Sequence, residues 1–423
     1  MKYILSILLV LTSTFCIAQR TVIHCGALID GKSTALQTQM TLIVEGNKIT
    51  GVVKGFAARN AGDTLIDLSK KTVLPGLIDM HVHLEGETSR DQALQRFTFN
   101  QADIAFRATG FAKKTLLAGF TTVRDLGGTG VNTALRNAIN QGLVIGPRIF
   151  SAGKSIATTG GHADPTNGYR KELMGDPGPA EGVINSVDDA RKAVRQRYKD
   201  GADLIKITAT GGVTSLAKDG SGPQFTHEEL KAIIETAKDY GMHTAAHAHG
   251  PEGMKRAVMA GITTIEHGTL MTEEIMDLMK QKGTYYVPTL TAGKFVGEQA
   301  KIPGYYHPLV VPKAAAIGPQ IQKTYAKAYK RGVKIAFGTD AGVFLHGDNA
   351  QEFALLVEGG MPPMEAIKAA TIVNAGILNM SDQIGTLEAG KLADIIATDE
   401  NPLENIRALE EVSFVMKDGV VYK

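Results

Sequence analysis

Two histidines stand two positions apart in the apolar stretch 74–84, and they are the first residues in this chain that suggest chemistry. In an extended strand, successive side chains point to opposite faces. His81 and His83 would therefore share a face with Asp79, while the apolar residues between them share the other face. Neutral imidazoles at the end of a strand can bind one metal ion together. The same spacing also fits a pair of hydrogen-bonded structural histidines, so the rest of the chain must decide.

The elements around this stretch alternate between β-prone runs and helical segments. From residue 74 onward, eight such runs are separated by helices, the pattern typical of a TIM-type barrel. We therefore predict an α/β fold with a (β/α)8 barrel over residues 74–380. The strands after the first are predicted at 121–124, 148–150, 204–207, 244–247, 263–267, 285–288 and 334–338. The helices are predicted at about 92–118, 187–200, 227–240, 252–260, 272–282 and 313–331.

Both ends of the chain read as β structure outside the barrel. Residues 20–73 contain short β-prone runs broken at glycines, and residues 381–423 contain two more, with Asp418-Gly419 as a hairpin turn. These segments lie outside a barrel that is already closed. We predict that the two ends pair into a small β-sandwich domain.

Residues 1–19 differ in character from the rest. Lys2 precedes an apolar run at 4–11, and small residues follow near position 18, which is the pattern of a cleaved secretory signal peptide. The run is too short to span a bilayer. The protein is therefore expected to be exported, periplasmic or secreted, and free of the membrane after cleavage. Lipidation of Cys16 stays open.

Composition limits the partners of the mature chain. The formal net charge is +2 and no basic run occurs, which argues against nucleic acid or an anionic membrane as a partner. The expected partner is a small molecule or dipeptide, and the sequence leaves a homo-oligomer open. Cys25 is the one cysteine left after signal removal, so no intrachain disulfide can form.

Further polar residues fall at the predicted carboxyl ends of strands, where TIM-type barrels carry their active sites. Lys206 interrupts an apolar run, and a buried ammonium is costly unless it is paired. Each of these residues has a structural interpretation when taken alone. Their position on one face of the barrel favours a metal site. The candidate set is His81, His83, Lys206, His247, His267 and Asp340.

The ordered motifs resemble the metal-dependent amidohydrolase superfamily. Within it they are similar to the imidazolonepropionase-related peptidases, a branch with Xaa-Pro dipeptidases and lysine/arginine carboxypeptidases. The matching motifs are Pro75-Gly76-Leu77-Ile78-Asp79-Met80-His81-Val82-His83, Thr122-Val123-Arg124-Asp125, Thr159-Gly160-Gly161-His162, Ala209-Thr210-Gly211-Gly212-Val213, His247-Ala248-His249-Gly250, Ile265-Glu266-His267-Gly268, Gly338-Thr339-Asp340 and a tail at 385–394.

The resemblance implies two divalent metal ions, with zinc the expected metal. His81 and His83 would bind the buried ion, and His247 and His267 the more exposed one. Lys206, carboxylated to a carbamate, would bridge the two ions. This modification turns a buried cation into an anionic ligand.

The resemblance also implies the reaction. Asp340 would bind the first metal and act as general acid and base for a metal-activated hydroxide. His249 could hold the scissile carbonyl oxygen. His162, with the backbone amides of its Gly-rich loop, could bind the terminal carboxylate of the substrate. The expected activity is hydrolysis of an amide bond in a dipeptide or at a C-terminal amino acid.

Two alternatives are kept. One is a cyclic-amide hydrolase like imidazolonepropionase, against which Lys206 weighs because those relatives are thought to use one metal without it. The other is a non-catalytic barrel that serves as a binding module, against which the full ligand set weighs. His346, on the loop after the last predicted strand, is a further candidate for the pocket lining.

Overall fold

The computed structural model describes residues 20–215 and 220–423, so the predicted signal peptide lies outside the described residues. The strands are β1 (Arg20–Leu28), β2 (Gln37–Glu45), β3 (Lys48–Lys54), β4 (Thr64–Pro75), β5 (Leu77–Val82), β6 (Phe120–Asp125), β7 (Arg148–Ser151), β8 (Ala157–Thr158), β9 (Val183–Ile184), β10 (Ile205–Thr208), β11 (Thr244–Ala248), β12 (Thr264–His267), β13 (Tyr285–Val287), β14 (Ile395–Thr398), β15 (Val412–Lys417) and β16 (Val420–Val421).

The α-helices are α1 (Gln92–Thr98), α2 (Gln101–Leu117), α3 (Val131–Asn140), α4 (Lys171–Met174), α5 (Val187–Lys199), α6 (His227–Asp239), α7 (Pro251–Ala260), α8 (Glu273–Lys282), α9 (Leu290–Gln299), α10 (Val311–Lys330), α11 (Gln351–Glu358), α12 (Pro363–Lys368) and α13 (Asn374–Ile377). A π-helical turn covers Ala369–Val373, and a 3-10 helix covers Ile406–Glu411. None of the helices in the described part is long and apolar enough to cross a membrane.

The middle of the chain forms two parallel sheets, β5-β6-β7 and β10-β11-β12-β13. Backbone hydrogen bonds link the sheets at both edges. On one side, Asp203 donates to the carbonyl of Ser151 at 2.8 Å. On the other, Ala336 donates to Tyr286 at 2.9 Å and Met80 donates to Phe337 at 3.0 Å. The architecture is α/β, with parallel strands whose carboxyl ends face the same way.

The predicted eighth strand, 334–338, is not a regular strand. Its pairing with β13 is a single bridge between Tyr286 and Ile335. The segment divides its hydrogen bonds between β13 and β5, so no run of consecutive pairs forms with either. Gly338 packs tightly here, since a Cβ at this position would lie 3.1 Å from the backbone nitrogen of His81.

The predicted helix at 92–118 is two helices. Asn100 has an extended backbone and forms a capping box with Asp103, which ends α1 and starts α2. The other predicted helices are confirmed to within two residues at each end. Thr226 opens α6 with the predicted capping box.

The two chain ends form one sheet of seven strands, in the order β16-β15-β14-β4-β1-β2-β3. The two chain ends pair as predicted, because β4 pairs with β1 along one edge and with β14 along the other. The sandwich arrangement stays a prediction. The turn at Asp418-Gly419 is confirmed, with φ values of 50° and 77°. Within the segment 385–394, the β structure is limited to a single bridge between Leu392 and Lys48, and the regular strand β14 begins at Ile395.

The sheet is anchored at the amino-terminal ends of the barrel-type strands. Arg148, at the start of β7, donates to Asp394 at 2.7 Å and to Asp418 at 2.5 Å. Gly76 donates to the carbonyl of Asp394 at 2.9 Å, just before β5 begins. The seven-stranded sheet therefore supports the end of the strands opposite to the one that carries the histidines.

Candidate active site

The six predicted residues converge on one cavity of about 200 Å³. They come from different parts of the chain. Five lie in or just after a parallel strand, and Asp340 follows the segment 334–338, which bonds to β13 and β5. Alternation along each strand turns these side chains inward. The six residues are His81, His83, Lys206, His247, His267 and Asp340.

Two hydrogen bonds determine which ring nitrogens of His81 and His83 carry the proton. Nδ1 of His81 lies 2.9 Å from Oε2 of Glu266, and Nδ1 of His83 lies 2.8 Å from the carbonyl of Gly127. Carboxylates and carbonyls accept, so both Nδ1 atoms carry the proton. In the neutral rings Nε2 is then unprotonated. Both Nε2 atoms face Oδ1 of Asp340, at 3.3 Å and 3.4 Å.

Hydrogen bonds also determine the tautomers of His267 and His247. The hydroxyl of Thr289 donates to the carbonyl of Pro288 at 2.7 Å and therefore accepts from Nδ1 of His267 at 2.8 Å. This leaves Nε2 of His267 unprotonated. Nε2 of His247 donates to the carbonyl of Gly211 at 3.2 Å, which leaves Nδ1 as the free nitrogen. Each of the four imidazoles thus offers one lone pair.

Burial sets the charge state of these groups. It lowers the pKa values of His81, His247 and His267 well below their ordinary value, so the rings are neutral. It lowers the pKa of Lys206 to about 8 and raises the pKa of Asp340 to about 6. Neutral histidine is the form that binds a metal.

The donor atoms fit divalent cations. Donor atoms of His247, His249 and His267 lie within 4.8 Å of one another, and so do those of His81, His267 and Asp340. His267 belongs to both groups. Oδ1 of Asp340 is buried and receives no hydrogen bond from the described residues. Imidazole nitrogens with one carboxylate are a ligand set typical of zinc and related metals.

Lys206 lies in β10 and is 4% exposed. Within 20–215 and 220–423, its ammonium has no hydrogen-bond acceptor and no ion-pair partner within 4 Å. Two positions further along the same face, Thr208 lines the same cavity, and its hydroxyl has no hydrogen-bond partner among the described residues. Since an unpaired buried ammonium is costly, this position favours the neutral amine.

His162 lines the cavity as well. Its ring stacks on His247 with centroids 4.3 Å apart, its Nδ1 has no partner among the described residues, and burial lowers its pKa to about 4. The expected anion site of backbone amides was wrong, because all four amides of this loop already donate within the protein. Thr159 donates to Asn185, Gly160 to Asp164, Gly161 to Thr158 and His162 to Gln224.

The other two histidine predictions have different outcomes. His249 lines the cavity, and its Nδ1 lies 2.8 Å from the hydroxyl of Thr269. His346 does not line it. This side chain is buried against Phe111, and its Nε2 donates to the carbonyl of Gly86 at 2.8 Å.

The sequence interpretation gave no role to the residues that hold the ligands in place. Glu266 and Thr289 contact His81 and His267 directly. A charged residue inside the apolar strand β12 was a visible signal for Glu266. Nothing in the sequence indicated which histidine it would contact.

A mixed set of imidazoles, one lysine and one carboxylate, placed at the carboxyl ends of parallel strands, defines a hydrolase of the metal-dependent type. The chain belongs to the amidohydrolase family, which matches residues 72–422. It acts on amide C–N bonds, and the predicted enzyme class is confirmed.

Three relatives are informative. A solved structure of a Xaa-Pro dipeptidase with bound methionine in the active site is 54% identical, covers 96% of this chain and 100% of its own, and has a TM-score of 0.93. The solved structure of a prolidase complexed with N-methylphosphonate-L-proline is 31% identical and has a TM-score of 0.87. The match covers 96% of this chain and 100% of the prolidase chain. Ochratoxinase from Aspergillus niger is 34% identical over 432 residues, or 96% of this chain and 87% of its own. The chain resembles the peptidase-like members of the family, as predicted.

Proposed function

We propose that this protein is an exported, binuclear metal-dependent dipeptidase that hydrolyses the amide bond of a dipeptide, with Xaa-Pro dipeptides as the leading substrate class. The observation that carries the proposal is the convergence of six metal-binding candidates on one cavity of about 200 Å³. The proposed setting is the carboxyl-terminal mouth of a (β/α)8 barrel, where such sites lie.

The ligands divide into two groups. His81, His83 and Asp340 would hold one ion, and His247 and His267 would hold the other, with zinc the metal that the donor types favour. Lys206 would bridge them as a carbamate. Its neutral amine forms a bond to the carbon of carbon dioxide and releases a proton, and a pKa of about 8 leaves part of the amine neutral near pH 7.

When bound, the cations would lower the pKa of a shared water and polarise the scissile carbonyl. The remaining steps belong to the protein. Asp340 takes the proton from the attacking water and delivers it to the leaving amine. His249 donates to the carbonyl oxygen. His162 donates its ring N–H to the terminal carboxylate of the substrate.

The residues that line the cavity favour a substrate whose side chain is uncharged. Among the described residues that line the cavity, Asp340 is the single carboxylate, and it is already committed to the metal. A lysine or arginine side chain would therefore find no counter-charge, which favours dipeptidase over lysine/arginine carboxypeptidase activity. The apolar lining consists of Leu126, Ala163, Val213, Ala292, Val296, Ile317, Ile321 and Val343.

The test is a substrate panel on the zinc-loaded protein. It contains Xaa-Pro dipeptides with apolar first residues, dipeptides that end in lysine or arginine, N-acetyl amino acids and a cyclic imidazolone. We expect the highest kcat/KM for the Xaa-Pro dipeptides. Turnover of the imidazolone alone, or of none of these amides, would contradict the proposal.

N-terminal sequencing of the protein from cells tests export and should find a start near residue 19 or 20.

A further inference from the structure

A buried ionic network lies directly behind His81. Glu266, in β12, is fully buried, and its two oxygens have different partners. Oε2 accepts from Nδ1 of His81 at 2.9 Å. Oε1 accepts from Nη2 of Arg124 at 2.8 Å and from the hydroxyl of Thr264. One oxygen of the carboxylate therefore serves the histidine, and the other serves two donors.

Arg124 holds this arrangement in place. It is fully buried in β6, and its Nε donates to the carbonyl of Met80 at 2.7 Å. A guanidinium has donors and no acceptor. Whatever atom of residue 266 faces Arg124 must therefore accept a hydrogen bond.

We propose that Glu266, oriented by Arg124, is a positioning residue that sets the tautomer of His81. The carboxylate keeps the proton on Nδ1, so that Nε2 is unprotonated where it faces Asp340. Glu266 contacts neither substrate nor the proposed ions and acts through His81. This inference rests on the proposed metal centre.

Glu266→Gln preserves the size of the side chain and should reverse its hydrogen bond to His81. The amide oxygen would turn to Arg124 and Thr264, because both donate there. The amide NH₂ would then face Nδ1 of His81 and donate to it. His81 must respond by carrying its proton on Nε2, which removes the lone pair that a metal needs.

A double variant separates this effect from simple damage to the core. In Arg124→Met/Glu266→Gln the guanidinium is gone, so the amide is free to rotate and present its oxygen to His81. The original tautomer returns, and the double variant leaves no unpaired buried charge. A merely structural role for the pair predicts the opposite order, because two buried substitutions disturb the core more than one.

The experiment measures zinc affinity by chelator competition on metal-stripped, full-length protein, with circular dichroism and thermal unfolding to check the fold of each variant. We expect Glu266→Gln to weaken the binding of one ion by roughly ten- to a hundredfold, the range for partners of metal-binding histidines. The double variant should recover part of this loss. Thr264→Val is the matched control, because it removes a donor to the same carboxylate without reversing the contact with His81.

Two results would overturn the inference. One is wild-type zinc affinity in Glu266→Gln, and the other is a double variant that binds no better than the single one. In both cases the wild type still binds two ions, and the proposed function stands. A wild-type protein that binds no zinc would overturn both.

Discussion

Oδ1 of Asp340 lies 3.3 Å from Nε2 of His81, and both atoms are hydrogen-bond acceptors in the tautomer set by Glu266. Two facing acceptors repel each other unless a proton or a cation lies between them. Oδ1 is buried and receives no hydrogen bond from the described residues. A cation between the two atoms would remove this repulsion, and the contact therefore supports the proposed metal centre.

The first prediction concerns metal content. Purified protein should hold close to two divalent ions per chain, and His81→Ala should lower that number and abolish turnover, because it removes a ligand that Asp340 alone cannot replace. Metal analysis and dipeptide hydrolysis are measured together. His24→Ala is the matched control, since His24 stacks on Phe56 in the seven-stranded sheet. Full activity after exhaustive chelation would contradict the metal site.

The second prediction concerns Lys206. Lys206→Ala should lose activity because the bridging carbamate cannot form, and acetate should restore part of it by occupying the vacated space. Growth or exchange with ¹³C-labelled carbon dioxide should give a carbamate signal in the wild type that the variant lacks. An unmodified lysine in the zinc-loaded protein would refute the bridging role and move cyclic amides ahead as substrates.

The third prediction concerns the terminal carboxylate of the substrate. The amides of the 159–162 loop are occupied, so the imidazole of His162 is the donor that the loop retains. Losing one charge-assisted hydrogen bond costs about 1.5 to 3 kcal/mol, or roughly ten- to a hundredfold in kcat/KM. His162→Ala and amidation of the substrate should each have an effect of this size.

Because both changes remove the same contact, their effects should overlap and not add. The measurement is kcat/KM for both enzymes on both substrates. If His162→Ala still discriminates fully against the amidated dipeptide, His162 only supports its loop.

The fourth prediction concerns stability and pH. Glu352 is fully buried and accepts from the backbone amides of Leu290 and Thr291 at 2.8 Å and 2.7 Å, at the start of α9. Burial raises its pKa from 4.5 to about 8. Between these values the folded state binds more protons than the unfolded state, so the free energy of unfolding falls as pH rises from 4.5 to 8. The difference corresponds to at most about 5 kcal/mol.

Urea unfolding of metal-free protein at pH 5 and pH 8.5 tests this. Glu352→Gln should lose less stability than wild type on going from pH 5 to pH 8.5, because its amide does not titrate in this range. Glu352 lies in α11, and Glu358→Gln, an exposed position in α11, is the control. Equal losses in Glu352→Gln and wild type would disprove the assignment.

The candidate ligands were predictable from the sequence because the rule that identifies them is local. Strand alternation puts His81 and His83 on one face. Parallel strands bring their carboxyl ends together, and this does not depend on the conformation of the loops. The start of α6 was predictable for the same reason. The capping box at Thr226 depends on residues three positions apart.

Only the tertiary structure decided the features that depend on long-range contacts. Glu266 is 185 residues from His81, and its hydrogen bond sets the tautomer of that ring. From the sequence, the backbone amides of the loop 159–162 appear available to a ligand. In the structure, Asp164 and Gln224 accept hydrogen bonds from two of them. The chain ends form one sheet because β4 can pair along both edges. Periodicity records which face a residue occupies, and it contains no information about which distant partner satisfies a polar atom on that face.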